Sequence, residues 1–329
     1  MSHRPAHSVT LRETPIPARL NLVLLAGAIV VVMGSLFLAS HTESLWLIVA
    51  AAVIFSFVNN TIFSLLHEAV HGVLHPNHRV NLWAGRLAAA FFPTSFSIQR
   101  AFHLTHHRYN RTPDEQFDLI RPGDNRVLKI AQWYSILTGL YGLSPSVFCV
   151  LYALSPRLFR LRWWARKDTG IGHQTSAAIY FGAVEKVPMR SVRGEVLLAA
   201  AVQLGLFSVL DLSLLGWLLC HAFFVVNWSA LQYADHAFSP LDPKEGAWNL
   251  RINPLVRLLF LNYHYHLAHH QAPQMPWIHL PKLVDRDVPQ PAFWRIYIRM
   301  WCGPRAIEQL DFAQAAATQP ARTYVGNPQ

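Results

Sequence analysis

Residues 45–71 read LWLIVAAAVIFSFVNNTIFSLLHEAVH, an apolar run from Leu45 to Leu66 that leads directly into a pair of histidines. A run of this length can cross a bilayer as a helix, because each helical residue rises ~1.5 Å and the hydrocarbon is roughly 30 Å thick. His67 and His71 are four residues apart, so a helix places both imidazoles on one face. The stretch therefore predicts a membrane-spanning helix with a metal-binding box at its end.

A second apolar run without charges, from Leu20 to Ser40, precedes this helix and is joined to it by the link HTES at 41–44. A signal peptide would normally end in a small-residue cleavage site, whereas this run leads into another apolar run, so the two predict a transmembrane hairpin. The block from Val196 to Ala234, interrupted at 210–213, predicts a second hairpin. Its first arm, about 15 residues to Leu210, is short for a full span.

Two further apolar stretches, 82–98 and 130–154, lie between the hairpins. The second carries Gly139, Gly142 and Pro145 near its middle, where a straight helix would be weakened. It therefore fits either one span or a re-entrant or interfacial pair of short helices. The sequence alone leaves both stretches open.

The placement of basic residues predicts the orientation in the membrane. Lys and Arg collect in short cytoplasmic loops, and the hairpin tips at 41–44 and 210–213 contain neither. Basic residues lie instead in the N-terminal tail (Arg4, Arg12, Arg19) and in the 157–193 segment (Arg157, Arg160, Arg162, Arg166, Lys167, Lys186, Arg190, Arg193). Both hairpins are therefore expected to point away from the cytoplasm, with the chain between them on the cytoplasmic face.

These assignments predict an all-α, multi-pass integral membrane protein with four transmembrane helices in two hairpins and a cytoplasmic helical cap that carries the metal site. In a bacterium it would lie in the inner or cell membrane. No repeat or linker divides the chain, so 1–329 is expected to form one domain. Its expected parts are a basic cytoplasmic tail (1–19), the first hairpin (20–66), the part of the cap that carries the first two histidine motifs, or boxes (67–194), the second hairpin (195–236), the part of the cap that carries the third box (237–311) and a flexible tail (312–329).

Composition agrees with a membrane protein and excludes several other classes. Of 329 residues, 52% are hydrophobic and 14% charged, against about 25% charged in soluble domains, and a disordered chain could not carry so much apolar surface. Three widely spaced cysteines exclude a disulfide scaffold and a cysteine-based zinc or iron–sulfur site. The net charge of +10 fits a cytoplasmic membrane face, and no nucleic acid partner is expected, because no basic run interleaved with aromatics stands apart from the apolar stretches.

Eleven of the 18 histidines lie in three short windows. The second window contains HLTHH at 103–107 and the third contains HLAHH at 266–270, each with histidines at i, i+3 and i+4 on one helical face. With HEAVH they supply eight imidazoles, more than the four or so that one zinc ion takes, which suits two metal ions with open positions. A ninth candidate is His236, which the last spanning helix delivers to the same membrane face.

The order and spacing of HEAVHG, HLTHHRYN and NYHYHLAHH, followed by APQMP, resemble the membrane fatty acid desaturase and hydroxylase superfamily. The resemblance covers about 51–281. Membership implies a nonhaem di-iron centre held mainly by histidine, O2 as co-substrate and a hydrophobic tunnel for a fatty acid or fatty acyl chain. It also implies an extra histidine from the last span, in support of His236. The expected metal ligands are His67, His71, His103, His106, His107, His236, His266, His269 and His270.

Polar side chains near the boxes are candidates for orienting the imidazoles, because metal-bound histidines usually direct their second N–H to a carboxylate or carbonyl. Asp114 and Glu115 could equally cap a helix after Pro113, and Gln232 and Asn60 could either bind metal-site water or hydrogen-bond between helices. The candidates are Glu68, Asp114, Glu115, Asp118, Asp235, Gln232 and Asn60.

Three histidines near the boxes are not expected to be metal ligands. His75 lies one helical turn beyond His71, but Pro76 should end that helix. His264 lies on the side of the third box opposite to the triplet. His221 precedes His236 by 15 residues, about 22 Å along a helix, which is too far to serve the same centre.

Reducing power is expected to come from another protein. No GxGxxG motif follows a strand, and no cysteine cluster could hold an iron–sulfur group. A ferredoxin, rubredoxin or cytochrome-type donor with its reductase should dock on the cytoplasmic face. The basic segment RLFRLRWWARK at 157–167 would either receive an acidic donor or a substrate carboxylate, or anchor at the headgroups through Trp163 and Trp164.

The favoured reaction is desaturation of a fatty acyl chain. Hydroxylation, acetylenation, ketolation of a carotenoid and oxidative decarboxylation of a free fatty acid to a terminal alkene would use the same centre, and spacing does not separate them. HEAVH also matches the HExxH of zinc proteases, with LDP at 241–243 as an acidic third ligand, but an intramembrane metalloprotease leaves both triplets without a purpose. A haem or metal carrier would need paired histidines within the membrane, where only His221 lies.

Overall fold

The chain folds almost entirely into helices. The computed structural model describes residues 14–159, 176–285, 288 and 290–307. In chain order the α-helices are α1 (Ala18–His41), α2 (Leu45–His71), α3 (His78–Phe91), α4 (Phe96–Tyr109), α5 (Arg126–Leu137), α6 (Leu140–Leu154), α7 (Ala177–Val184), α8 (Met189–Leu210), α9 (Leu214–Ala234), α10 (Pro254–Leu259), α11 (His266–Gln271) and α12 (Phe293–Met300). Two short strands, β1 (Leu119–Ile120) and β2 (Arg305–Ala306), pair in parallel.

Four helices in the described part of the chain are long and apolar enough to cross a membrane: α1, α2, α8 and α9. They contain 24, 27, 22 and 21 residues, and about 20 suffice to span the hydrocarbon. This confirms the predicted all-α integral membrane class with four spans. Short turns at 42–44 and 211–213 join them in pairs, at the end of each hairpin that lies opposite the histidine boxes. The cytoplasmic orientation of the cap stays a prediction.

The spanning helices differ from the expected segments at two ends. α2 continues beyond Leu66 to His71 and stops at Gly72, which has φ +79°, so the first box lies on the helix itself. α8 begins at Met189 and has 22 residues, so the expectation of a short arm starting at Val196 was wrong. Its polar first turns are tolerated because the buried carboxylate of Glu195 accepts hydrogen bonds from neighbouring helices.

The two helices at the centre of the bundle are α2 and α9. α2 packs against α1, α3 and α9, and α9 also contacts α1 and α6. Phe55 and Phe224 are fully buried between them, in edge contact at 6.3 Å between ring centroids. The hydroxyl of Ser56 donates to the carbonyl of Phe223 (3.1 Å) and accepts from the amide of Asn227 (2.9 Å). This packing fixes the separation of the two helices that end at the metal site.

The two apolar stretches that the sequence left open are each divided between two helices. Residues 82–98 are divided between α3 and α4, and 130–154 form α5 and α6, which meet at 98°. Gly139 occupies the corner with φ +83°, a conformation that favours glycine. A single straight span through 130–154 is therefore excluded, in favour of a broken or re-entrant pair.

A buried network of hydrogen bonds connects the cap to the last membrane-spanning helix, α9. The guanidinium of Arg111, just after α4, donates to Asp118 (2.6 Å), and the hydroxyl of Tyr233 on α9 donates to the same carboxylate (3.0 Å). The second oxygen of Asp118 accepts the backbone N–H of Phe238 (2.7 Å). Three segments are thus held together at one carboxylate, which is completely buried.

Several predicted segments lie outside the described residues. They include most of the N-terminal tail (1–13), most of the basic 157–167 segment (from residue 160), and the C-terminal tail (312–329).

Close packing of α9 on α1 gives a test of the bundle. An added Cβ at Gly216 would lie 2.8 Å from the carbonyl oxygen of Ala39, so Gly216→Ala is expected to cost about 1–3 kcal/mol through overpacking. Gly205→Ala on α8, where no atom lies within 4 Å, is the matched control and should be neutral or slightly stabilising. Thermal unfolding in detergent, followed by circular dichroism, compares the two. Equal melting temperatures would contradict this packing.

Candidate metal centre

The structure brings all nine histidines predicted as metal ligands together at the cap end of α2 and α9. They form two groups, and within each group the ligand atoms lie within 4.8 Å of one another. The first group has five members, His67, His71, His103, His107 and His269, and the second has four, His106, His236, His266 and His270. Most rings are buried, and those of the second box and His71 are half-buried.

The five-histidine group combines the ends of α2, α4 and α11. The Nε2 atom of His103 lies 2.8 Å from Nε2 of His71 and 2.9 Å from Nε2 of His107. His107 Nε2 also lies 3.0 Å from Nε2 of His269. His67 completes the group, with its ring centroid 4.4 Å from that of His269.

The four-histidine group combines α4, α11 and the residue pair that follows α9. Nε2 of His106 lies 3.3 Å from Nε2 of His270. The ring of His236 is 4.6 Å from that of His106 and 4.7 Å from that of His266, centroid to centroid. His236 is only 2% exposed, so it is not an interfacial histidine reaching the headgroups.

Each HxxHH box is divided between the two groups by helical geometry. Residues i and i+4 differ by about 40° around a helix, whereas i+3 lies about 60° to the other side. Accordingly, His103 and His107 enter the first group while His106 enters the second. In the third box the division is reversed, with His266 and His270 in the second group and His269 in the first.

The hydrogen bonds behind the rings fix which nitrogen faces the centre. Nδ1 of His106 lies 3.0 Å from the carboxylate of Glu115, and Nδ1 of His236 lies 2.8 Å from the carbonyl of Gly246. Both acceptors require an N–H at Nδ1, so Nε2 carries the lone pair and points inward. Asn110 holds the Gly246 carbonyl in place through its amide (3.1 Å).

The donor set fits metal ions. Lone pairs of neutral imidazoles that approach within about 3 Å repel one another unless a cation or a proton lies between them. The Nε2 atoms of His67 and His236 are buried and have no hydrogen-bond partner among the described residues. Buried polar atoms are normally satisfied, and two ions, one in each group, would satisfy these. All-nitrogen sites of this kind suit iron, zinc, copper or nickel.

Burial keeps the imidazoles of the cap neutral. Desolvation, followed by repulsion from neighbouring histidines, lowers the pKa of six histidines of the centre that lie outside the spans: His103, His107, His236, His266, His269 and His270. Neutral imidazole is the form that binds metal. The cluster is therefore ready to bind ions at neutral pH without first losing protons.

The candidate carboxylates occupy different positions. Glu115 bonds His106 and accepts a hydrogen bond from the hydroxyl of Tyr180. Asp235 lies 3.5 Å from Nδ1 of His266, and burial raises the pKa of its carboxyl. Glu115 is thus within hydrogen-bond distance of His106, whereas Asp235 lies beside His266 without a hydrogen bond to it. Their role in orienting the rings stays a prediction.

The other candidate carboxylates make different contacts. The carboxylate of Glu68 accepts the backbone N–H of Trp277 (3.0 Å) beside His67. Asp118 accepts the hydrogen bonds from Arg111, Tyr233 and the backbone of Phe238. Asp114 lies in a short 3-10 turn, and its backbone carbonyl accepts a hydrogen bond from Ser176.

The two candidate amides also have defined partners. The carbonyl oxygen of Gln232 accepts the hydroxyl of Tyr263 (3.1 Å), and the side chain lines the cavity beside the histidines. Asn60 donates to the carbonyl of Ser56 on its own helix (2.9 Å), and its neighbour Asn59 donates to the carbonyl of Phe91. The Asn60 amide thus donates within α2.

The histidines that were not expected to bind metal lie outside both groups. Nδ1 of His75 accepts the backbone N–H of Asn77 (2.9 Å) in the turn after α2. His264 is buried, and burial lowers its pKa to about 3. His221 stacks on Trp217 within α9, with ring centroids 3.9 Å apart.

A cavity of about 360 Å³ adjoins the centre. Its walls include His103, His106, His236 and His266 together with several aromatic side chains. An apolar cavity that opens onto a metal site can position one carbon of a long chain near the metals and exclude water.

Two tyrosines of the site were missed by sequence reasoning. The ring of Tyr263 lies between the groups, 5.0 Å from the ring of His67 and 5.1 Å from that of His266, and its position three residues before His266 was an available signal. Tyr180 follows no box and carried no such signal.

Comparisons with known proteins agree with this geometry. A family model described as "Fatty acid desaturase" matches residues 44–301, a range that contains all nine histidines. β-Carotene ketolase of Paracoccus sp. (strain N81106 / MBIC 01143) is 25% identical over 265 residues, which cover 74% of this chain and 86% of that protein.

The two groups predict how the loss of one histidine changes the metal content. His106→Ala and His269→Ala, in different groups, are each expected to lower the metal content by at least one ion per chain, because the affected group loses a donor. Inductively coupled plasma mass spectrometry on purified protein measures this. His264→Gln, buried in the same segment but outside both groups, is the control and should keep the wild-type content. Full metal content in either alanine variant would refute the ligand assignment.

The lowered pKa values predict how the metal-free protein responds to pH. Below about pH 6.5, the usual histidine pKa, the unfolded chain binds protons that the folded chain does not, so stability falls as pH falls. The melting temperature of chelator-stripped protein should therefore drop steadily from pH 7.5 to pH 5. The exposed-site variant His78→Gln should retain the same slope. A flat profile would show that the rings are not buried in neutral form.

Proposed function

The chain belongs to the fatty acid desaturase family, as its boxes suggested, and we propose that it is an O2-dependent di-iron oxidoreductase that desaturates a fatty acyl chain within the membrane. The observation that carries this proposal is the pair of all-histidine groups beside an apolar cavity. The family match and the ketolase relative support an oxidoreductase, and the four apolar spans support a membrane location.

Iron is the metal that the proposed chemistry needs. Iron held by imidazoles with open positions supplies an oxidant able to remove hydrogen from an unactivated methylene. The five- and four-histidine groups would each hold one ion. Glu115 and the carbonyl of Gly246 would keep the lone pairs of His106 and His236 directed inward.

The cavity supplies the binding surface for an apolar chain. Phe102, Phe148 and Phe181 form one wall, with Phe148 stacked on Phe181 at 5.4 Å and 5.1 Å from Phe102, centroid to centroid. Trp228 and Tyr141 stack in parallel on another side. These rings would hold the chain, exclude water and present one C–H bond to the centre.

Electrons would come from a separate protein. We expect a ferredoxin, rubredoxin or cytochrome-type donor, supplied by its reductase, to dock on the cap from the cytoplasm. The basic stretch at 157–167 remains our candidate for this contact or for a headgroup anchor.

Carotenoid ketolation is the second candidate, because the relative reported above is a β-carotene ketolase aligned over 86% of its length. Hydroxylation, acetylenation and decarboxylation to a terminal alkene would use the same residues. The zinc-protease alternative has no support, since His67 and His71 share their group with three histidines from other helices.

Product profiling tests the proposal. Mass spectrometry of lipids, free acids, hydrocarbons and carotenoids is compared between cells expressing the wild type and the His106→Ala variant, in a host that also makes β-carotene. A new double bond in an acyl chain, present only with the wild type, is the expected result. A hydroxyl group, a terminal alkene or a ketocarotenoid would name the corresponding alternative instead.

A cavity variant links the product to the proposed binding surface. Ala177→Phe, on the cavity wall, should reduce product several-fold on long chains while metal content is unchanged. Gly182→Phe on the same helix, where no atom lies within 4 Å of an added Cβ, is the control. The proposal fails if the metal-loaded wild type forms no oxidised lipid, or if filling the cavity leaves turnover unaltered.

A further inference from the structure

A second large cavity lies on a different side of α9 from the metal centre. Its volume is about 440 Å³, and none of the nine histidines of the metal centre lines it. Phe57 of α2, Leu231 of α9, Val256 of α10 and Phe293 of α12 form its walls. We call this cavity the lateral cleft.

Hydrogen bonds to α2 set the level of the lateral cleft in the bilayer. α2 has 27 residues and is about 40 Å long, longer than the roughly 30 Å of hydrocarbon, so its last turns stand above the hydrocarbon. Thr61 and Ser64, near that boundary, donate to the carbonyls of Leu259 (2.6 Å) and Phe260 (3.1 Å) at the end of α10. α10 therefore lies at the headgroup level, with Phe57 below it among the acyl chains.

The outer faces of α10 and α12 have the composition of interfacial helices. Leu255 and Leu258 on α10 are 63% and 65% exposed, and Trp294 and Ile298 on α12 are 57% and 60% exposed. Short helices with exposed apolar residues and a tryptophan at the rim lie in the plane of a membrane surface. The mouth of the cleft thus opens among lipids.

The charged side chains of the two segments that form this mouth are all positive. Segments 249–260 and 290–301 contain no Asp or Glu, and both carry exposed arginines. Arg251 lines the cleft itself, and no carboxylate of the described residues lies within ion-pair distance of it. The exposed arginines are Arg251, Arg257, Arg295 and Arg299.

We propose that the lateral cleft is a binding site for an anionic phospholipid, with one acyl chain between Phe57 and Val256 and the phosphate at Arg251. The walls supply the apolar surface for a chain, and the guanidinium of Arg251, which has no carboxylate partner among the described residues, supplies a partner for a phosphate. Exposed arginines nearby attract anionic headgroups in preference to zwitterionic ones.

The bound lipid is a resident of the fold and not the substrate. Asn227 and Leu231 face the lateral cleft, whereas Trp228 and Gln232, each one residue further along α9, line the cavity at the histidines. The spanning helix therefore separates the two spaces. This site is independent of the reaction proposed above, because lipid can bind here whatever chemistry the metals perform.

Native mass spectrometry of the detergent-solubilised protein tests the site. The probes are dioleoyl phosphatidylglycerol, dioleoyl phosphatidylcholine and oleate, each at equal concentration. We expect phosphatidylglycerol to bind about fivefold more tightly than phosphatidylcholine, and oleate not to displace it. Arg251→Gln should remove this preference while leaving metal content unchanged.

Two further variants complete the experiment. Val256→Trp, which fills the cleft, should weaken both phospholipids about fivefold or more, since the acyl chain loses its place. Arg126→Gln, which removes an exposed arginine at the start of α5, is the control and should bind as the wild type does. The proposal is overturned if the wild type shows no headgroup preference, if Arg251→Gln retains it, or if oleate displaces the phospholipid.

Discussion

Nine imidazole rings can share so small a volume only when they are uncharged and a cation or a proton lies between the lone pairs that face one another. Ring nitrogens of different helices approach to between 2.8 and 3.3 Å, and protonating rings at this depth would leave charges buried beside one another. The rest of the structure keeps these neutral imidazoles facing one another. Glu115 and the carbonyl of Gly246 select the nitrogen that faces inward, and Asp118 fastens the segments that carry the rings.

The membrane sets the positions from which these donors are delivered. α2 and α9 pack together within the bilayer, and both end at the cap, where α2 carries His67 and His71 and the chain after α9 carries His236. α4 and α11 then need to supply only short helical turns. A site that would be difficult to assemble from loops is thereby built on the ends of rigid helices, next to a cavity with aromatic walls.

Periodicity and spacing predicted the four spans and the eight box histidines, because both signals are local to a helix and survive tertiary packing. His236 was predicted from its place after the last span and from the family resemblance. They failed where distant residues override local composition. The polar start of α8 is helical because Glu195 finds partners on other helices, and the bend at Gly139 depends on contact with α9. Tyr180 and the carbonyl of Gly246 join the site through folding alone, and no motif marks them. The metal, the reaction and the side of the membrane rest on chemistry that spacing does not encode.

Because each HxxHH box contributes to both groups, the centre cannot be divided into two mononuclear halves. α4 and α11 carry three donors of each group, so an ion bound in one group would also hold three donors of the other group in place. A second ion would then find its donors already ordered and meet a smaller entropic cost. We therefore expect the two ions to load cooperatively.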